Sequence, residues 1–160
     1  MGVDLQHDPV ESAGYSSLWT YEQLLYAETP VEPYAPPNVP WPESGRRNAD
    51  SLAVLTAAAV VTEEVRLGTA VLIAALHTPV QPAKALATVD QISGGRVVAG
   101  MGTGWSTDVL RATGTTRADR GRFLDETLDV FDAVWGPDPV NFRSPRVVFD
   151  NAAVLPKPAS

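Results

Sequence analysis

The 160-residue sequence has no cysteine, which excludes disulfides, thiolate nucleophiles and thiolate metal sites. Histidine is almost as scarce, with His7 and His77 as its two copies, a thin supply for metal chemistry. Cations are few: 12 Lys and Arg stand against 19 Asp and Glu, and a net charge of -7 with an isoelectric point near 4.7 leaves no broad basic surface. A chain without such a surface cannot release counterions from phosphates, which argues against nucleic acids and anionic membranes as partners. No apolar run reaches the ~18 residues of a bilayer span. The opening residues also lack the basic-then-apolar pattern of an export signal, so the expected location is the cytoplasm. What the chain does have is a hydrophobic fraction of 44%, enough to bury the core of a single domain.

Proline and glycine divide this chain. Pro9 interrupts any long helix, so little order is expected before it, and residues 10–13 can form a final helical turn. Residues 15–20 (YSSLWT) read as a short buried strand ending at Glu22 and Gln23. Pro30, Pro33, Pro36, Pro37, Pro40 and Pro42 crowd a loop spanning residues 27–49, because proline lacks the donor that helices and central strands need. A connection this long is more often a lid or binding loop than a passive link.

Regular patterning follows. Asp50 or Ser51 caps a helix to about Thr62, with Leu52, Leu55 and Ala59 on its apolar side. Residues 65–73 form a buried strand in which Gly68 marks a bulge or a close backbone approach. Pro79 opens a second helix with Ala85, Val89 and Ile92 as its stripe, and Ser93-Gly94-Gly95 stops it. Residues 96–101 are the next strand. A third helix starts at Ser106 or Thr107, pauses near Gly114 and resumes through Leu124, Leu128, Phe131 and Trp135. Two β-prone pieces, residues 140–142 and 147–149, precede the closing LPKP. Strand and helix alternating with short connections predict an α/β fold around a parallel sheet. Reactive groups then collect at the C-terminal strand ends: Glu22 and Gln23, residues 70–77, and residues 102–106.

Each candidate there has a plain structural reading beside the functional one. Gly100-x-Gly102-x-Gly104 is either a tight strand-to-helix turn or a ligand-facing loop. It is not a dinucleotide fingerprint, since Trp105 and Ser106 occupy the place of the third glycine. Glu22 with Gln23 is a catalytic pair or a solvated edge, and His77 is a general acid or base or a structural histidine near a helix start. Glu63-Glu64 reads as a solvated helix end, and Arg111, Arg117, Arg120 and Arg122 among nearby aspartates read as exposed ion pairs. Trp135 closes a helix stripe and belongs to the core, whereas Trp41 and Trp105 are candidate pocket walls.

Taken together, GYSSLWTYEQLL, VRLGTAVL, TPVQPAKALATVDQISGGRVVAGMGTGWS, RGRFLDETLDVFDAVW and LPKP, in this order, resemble the luciferase-like monooxygenase family, and most closely its coenzyme F420-dependent oxidoreductases. The resemblance implies a (β/α)8 barrel that transfers a hydride to or from a deazaflavin or flavin, F420 or alternatively FMN. It places a bulge with a non-prolyl cis peptide at Ala70-Val71, behind the cofactor ring. Further cofactor contacts map onto Gly102, Thr103 and Gly104, with Trp105 where some relatives carry an acid. Many relatives have an acid followed by histidine where this chain has Glu22 and Gln23, and glutamine cannot exchange a proton near neutral pH.

A complete barrel needs about 250 residues. The resemblance therefore implies a truncated, partial barrel, roughly strands two to four with their helices, lacking the late loops that grip cofactor phosphates. Its exposed edges would be covered by a homodimer, formed through helices at residues 50–62 and 79–92, or by a complementing chain. The competing expectation is a non-catalytic fragment that functions only with such a partner.

Overall fold

The computed structural model describes residues 9–34 and 39–159. The expectation of little order before Pro9 and part of the proline-rich loop lie outside those residues. Local chemistry explains where the helices begin and end. The short α1 (Pro9–Ser12) leads to Gly14 at φ 82 and into strand β1 (Ser17–Thr20). Helix α2 (Ser51–Val61) is capped by Asp50, whose carboxylate accepts the Ala53 N–H at 2.8 Å. After strands β2 (Arg66–Thr69) and β3 (Leu72–Ile73), helix α3 (Val80–Ser93) follows Pro79 and ends at left-handed Gly94, φ 70. Strands β4 (Val97–Val98) and β5 (Met101–Gly102) lead to α4 (Thr107–Ala112), where Ser106 accepts the Val109 N–H at 3.3 Å. Gly114, at φ 71, separates α4 from α5 (Arg120–Trp135), the break expected there.

The sheet is parallel but broken. β1, β2 and β4 lie side by side, pairing Trp19 with Gly68 and Leu67 with Val97, while β3 pairs with β5 through Leu72 and Met101. The strands expected at 65–73 and 96–101 are therefore each two pieces. The first is interrupted at Ala70–Val71, which is a cis peptide bond as the resemblance implied. Across the break, Ala70 N–H donates to Thr20 O at 2.6 Å and Leu72 N–H to Gly100 O at 2.9 Å, so the strands stay in register around it. Strands β6 (Val140–Arg143) and β7 (Val148–Ala152) form an antiparallel hairpin with Phe142 stacked on Phe149.

Two apolar clusters hold the layers together. Leu55, Ala58, Ala59, Val65, Leu67 and Val89 join α2 and α3 to the sheet, and Leu72, Ala83, Leu86, Val130, Phe131, Val134 and Val147 join α3 and α5 to β3 and the hairpin. The expected helix stripes hold in part: Val89 and Phe131 are buried, but Ile92 is 46% and Leu128 43% exposed, and Ala83, Leu86, Thr127 and Val130, outside the stripes, are buried too. β1 is not buried as expected. Trp19 is half exposed and lies across Gly68, where a Cβ would sit 2.2 Å from its ring. Gly68 thus marks close approach, not a bulge.

Candidate active site

The C-terminal ends of β1, β3 and β5 surround one cleft of about 670 Å³, within the usual range of about 300–1,000 Å³ for small-molecule sites. Its floor is the Ala70–Val71 peptide beside the Gly102–Thr103–Gly104 turn. Its other walls include Tyr21, Glu22, Gln23, Tyr34, Trp41 and Trp105. All six residues assigned to a cofactor by resemblance thus line the same space, together with Glu22 and Gln23. Val71, 39% exposed, offers an apolar surface to it. Ile73, within the strand-end region 70–77, lines it too, as do Tyr34, Val109 and Leu110, which no sequence pattern singles out.

His77 stands outside this lining, behind Glu22. Its Nε2 lies 2.7 Å from Glu22 Oε1, while Glu22 Oε2 accepts the Ile73 N–H at 2.6 Å. With its side chain only 12% exposed, Glu22 is a positioned carboxylate, not a solvated edge. Gln23 lines the cleft but is also tied to the proline-rich loop. Its amide donates to Leu25 O at 3.3 Å and its side chain covers Gly45, where a Cβ would sit 2.9 Å from Oε1.

The glycine turn is shaped by the neighbouring strand. Cβ atoms at Gly100, Gly102 and Gly104 would lie 2.0, 2.6 and 2.7 Å from Thr69 O, Val71 and Ile73, respectively. Glycine at alternate positions therefore lets the two broken strands mesh, and two of the three still border the cleft. Two of the four arginines expected to form surface pairs brace this turn. Arg120 donates to Gly104 O at 3.0 Å and Arg117 to Trp105 O at 2.7 Å, while Arg122 pairs with Asp119.

The proline-rich loop closes over the cleft. Trp41 is buried, donates to Glu32 O at 3.2 Å and meets Trp105 at 5.1 Å between ring centroids. Glu32 latches the loop to α4 by accepting the Thr107 N–H at 3.1 Å and the Thr107 hydroxyl, and it pairs with Arg117 at 2.9 Å. Val31 N–H adds a bond to Asp108 at 2.9 Å. The Thr107 hydroxyl bond, followed by the Thr107 N–H and Arg117, holds the Glu32 pKa below its ordinary 4.5. A depressed carboxylate pKa stabilises the closed loop fully above the unfolded value and loses that contribution as pH falls through the folded one. Glu32→Gln should therefore make Trp41 more accessible to acrylamide quenching at neutral pH. The wild type should reach the same accessibility only below about pH 4.5, and equal quenching of both proteins at pH 7 would refute the latch.

A family model described as luciferase-like monooxygenase matches residues 8–160, and the chain belongs to that family. An uncharacterized protein of Mycobacterium tuberculosis (strain ATCC 25618 / H37Rv) is 38% identical over 112 residues, 70% of this chain and 40% of the relative. The F420-dependent glucose-6-phosphate dehydrogenase of Amycolatopsis mediterranei is 28% identical over 92% of this chain and 41% of its own length. The FMNH(2)-dependent dimethylsulfone monooxygenase of Pseudomonas fluorescens is 34% identical over 55% of this chain and 26% of its own. Among solved structures, monooxygenase RslO1 from Streptomyces bottropensis shares the fold with a TM-score of 0.77 at 24% identity, covering 93% of this chain and 40% of that one. The chain thus spans about 40% of the length of the first curated relatives it matches. Among the described residues no helix is long and apolar enough to cross a membrane.

Proposed function

We propose that the chain forms strands two to four of a luciferase-like barrel, and that its cleft holds the ring of coenzyme F420, or alternatively FMN, for hydride transfer with a small organic substrate. The observation that carries this reading is that Ala70 and Val71 and the Gly102–Thr103–Gly104 turn line one side of a single cleft of ring-holding size. A planar ring fits there. Val71 and the glycine backbone leave room for its face, and Trp105 supplies an aromatic neighbour. A phosphate tail does not fit the same residues, since among the described ones no lysine or arginine lines the cleft; that grip belongs to other parts of a complete barrel.

When bound, such a ring would supply the redox centre that accepts or donates the hydride. The chain's own residues would orient it and exclude water, the latter through the Glu32-latched loop. Glu22 would present a carboxylate to the substrate side of the cleft, with His77 as its positioning residue. A second reading has a specific basis: β1 and β4 are the outer strands of the parallel sheet among the described residues, and exposed Val54, Val60 and Ile92 mark the outer faces of α2 and α3. On that reading the chain acts only when a homodimer partner or a complementing chain covers those edges.

Fluorescence titration with F420 and, separately, FMN tests the proposal. Saturable micromolar binding is expected, weakened by about tenfold or more in Thr103→Arg and Val71→Asp proteins that keep their circular dichroism. A folded chain that binds neither cofactor would remove hydride transfer as its own activity.

A further inference from the structure

We propose that the part of the cleft supplied by these residues favours an uncharged, ring-bearing substrate, with Trp105 as the stacking surface that selects the ring. The inference rests on the reading of the cleft as a cofactor-binding active site and adds the class of compound that would meet the cofactor there. Two independent observations carry it.

The first is the aromatic wall. Trp105 meets Trp41 at 5.1 Å and Tyr34 at 5.9 Å between ring centroids, and Trp41 in turn meets Tyr26 edge-on at 5.6 Å. Its neighbours fix the Trp105 ring, yet it remains 40% exposed at the cleft. A rigid, partly uncovered indole is a stacking surface for another ring, worth about 0.5–1.5 kcal/mol beyond the area it covers.

The second is charge. Among the described residues lining the cleft, Glu22 is the one charged side chain, and its two oxygens already face His77 and the Ile73 N–H. Arg117 and Arg120, the cations behind the turn, are directed to Glu32 and to the carbonyls of Trp105 and Gly104. An anionic group held against this part of the cleft would lose its hydration beside a carboxylate, with no cation among the described lining residues to replace it. A neutral carbonyl or alcohol would instead meet hydroxyl groups, those of Tyr34, Ser44 and Thr103. The relative from Amycolatopsis mediterranei is named for a sugar phosphate; this lining favours the opposite kind of molecule.

Calorimetric titration of the full chain with indanone, indane carboxylate and glucose 6-phosphate tests the inference, since the first two share a ring system and differ in charge. Indanone should bind at least about tenfold more tightly than either anion. Trp105→Ala should weaken indanone about tenfold, and Trp105→Phe, which keeps a ring, should restore most of that loss. Anions that bind as tightly as indanone, indanone affinity indifferent to Trp105→Ala, or no indanone binding by the folded chain would each overturn it. The F420 and FMN titrations run in parallel separate the two readings. Cofactor binding without ketone selectivity defeats this inference alone, and ketone binding without cofactor defeats the proposed hydride transfer.

Discussion

Gly100→Ala should destabilise the protein by about 3 kcal/mol, the upper end of what overpacking costs, although it adds a single methyl group. The new Cβ would lie 2.0 Å from Thr69 O, a backbone atom of a residue that is 1% exposed, so no side-chain rotation can relieve the contact. Thr69 is fixed on both sides, in register with Thr20 of β1 and by its own hydroxyl donating to Gly100 O at 2.8 Å. The same Gly100 carbonyl accepts the Leu72 N–H at 2.9 Å, so separating the strands also strips the join between β3 and the turn. Gly121→Ala is the matched control: in α5, with nothing within 4 Å of its Cβ, it should be stabilising by about 0.5–1 kcal/mol through helix propensity. Urea unfolding of the two variants should therefore shift in opposite directions. A Gly100→Ala midpoint within error of wild type would mean that the strands beneath the cleft can part cheaply.

Local signals in the sequence located most elements, and distance in the chain decided what it hid. The Asp50 cap, the Pro79 start, the Gly94 stop and the break at Gly114 are each set by a residue and its immediate neighbours. The faces of α3 and α5 are legible at Val89 and Phe131 but not at Asp90, Ser93 and Thr127, buried polar positions that an apolar stripe does not mark. At the site, the strand-end rule picks out Glu22 and Gly102–Gly104, which line one cleft. Three contacts were beyond pattern reading: Glu22 with His77, Glu32 with Thr107 and Arg117, and Trp19 over Gly68. Each joins residues separated by dozens of positions, so only the assembled sheet reveals them. The arginines make the same point from the other direction. Charge spacing along a helix describes Arg122 with Asp119, yet it conceals that Arg117 and Arg120 brace the turn beneath the cleft.

Arg96→Met should cost about 3 kcal/mol of stability while leaving the cofactor affinity of the folded protein unchanged. Arg96 lies at the N-terminal end of β4, opposite the cleft, and its guanidinium gathers the carbonyls that end α2. It donates to Thr62 O at 2.7 Å, Ala59 O at 3.2 Å and Val65 O at 2.8 Å, to the Thr62 hydroxyl at 2.7 Å and to Ser93 O at 2.7 Å. Carbonyls at a helix C-terminus have no partners within the helix, and a planar five-donor group satisfies several of them where they carry the negative end of the helix dipole. Methionine preserves the packing of the stem and removes the donors, so the loss measures the hydrogen bonds. Lysine, with one ammonium in place of the fork, should recover less than half of it. Glu11 serves the donors of the same turn, accepting N–H groups of Glu63, Glu64 and Val65, and these bonds hold its carboxyl below the usual range. Because one turn receives both braces, Arg96→Met and Glu11→Gln should be less damaging together than the sum of their separate effects, since the turn freed by one change no longer benefits from the other. Strict additivity in urea unfolding would mean that the two ends of this connection fold independently, and Arg96 would then be a local helix cap and not the tie between α2, β2 and β4.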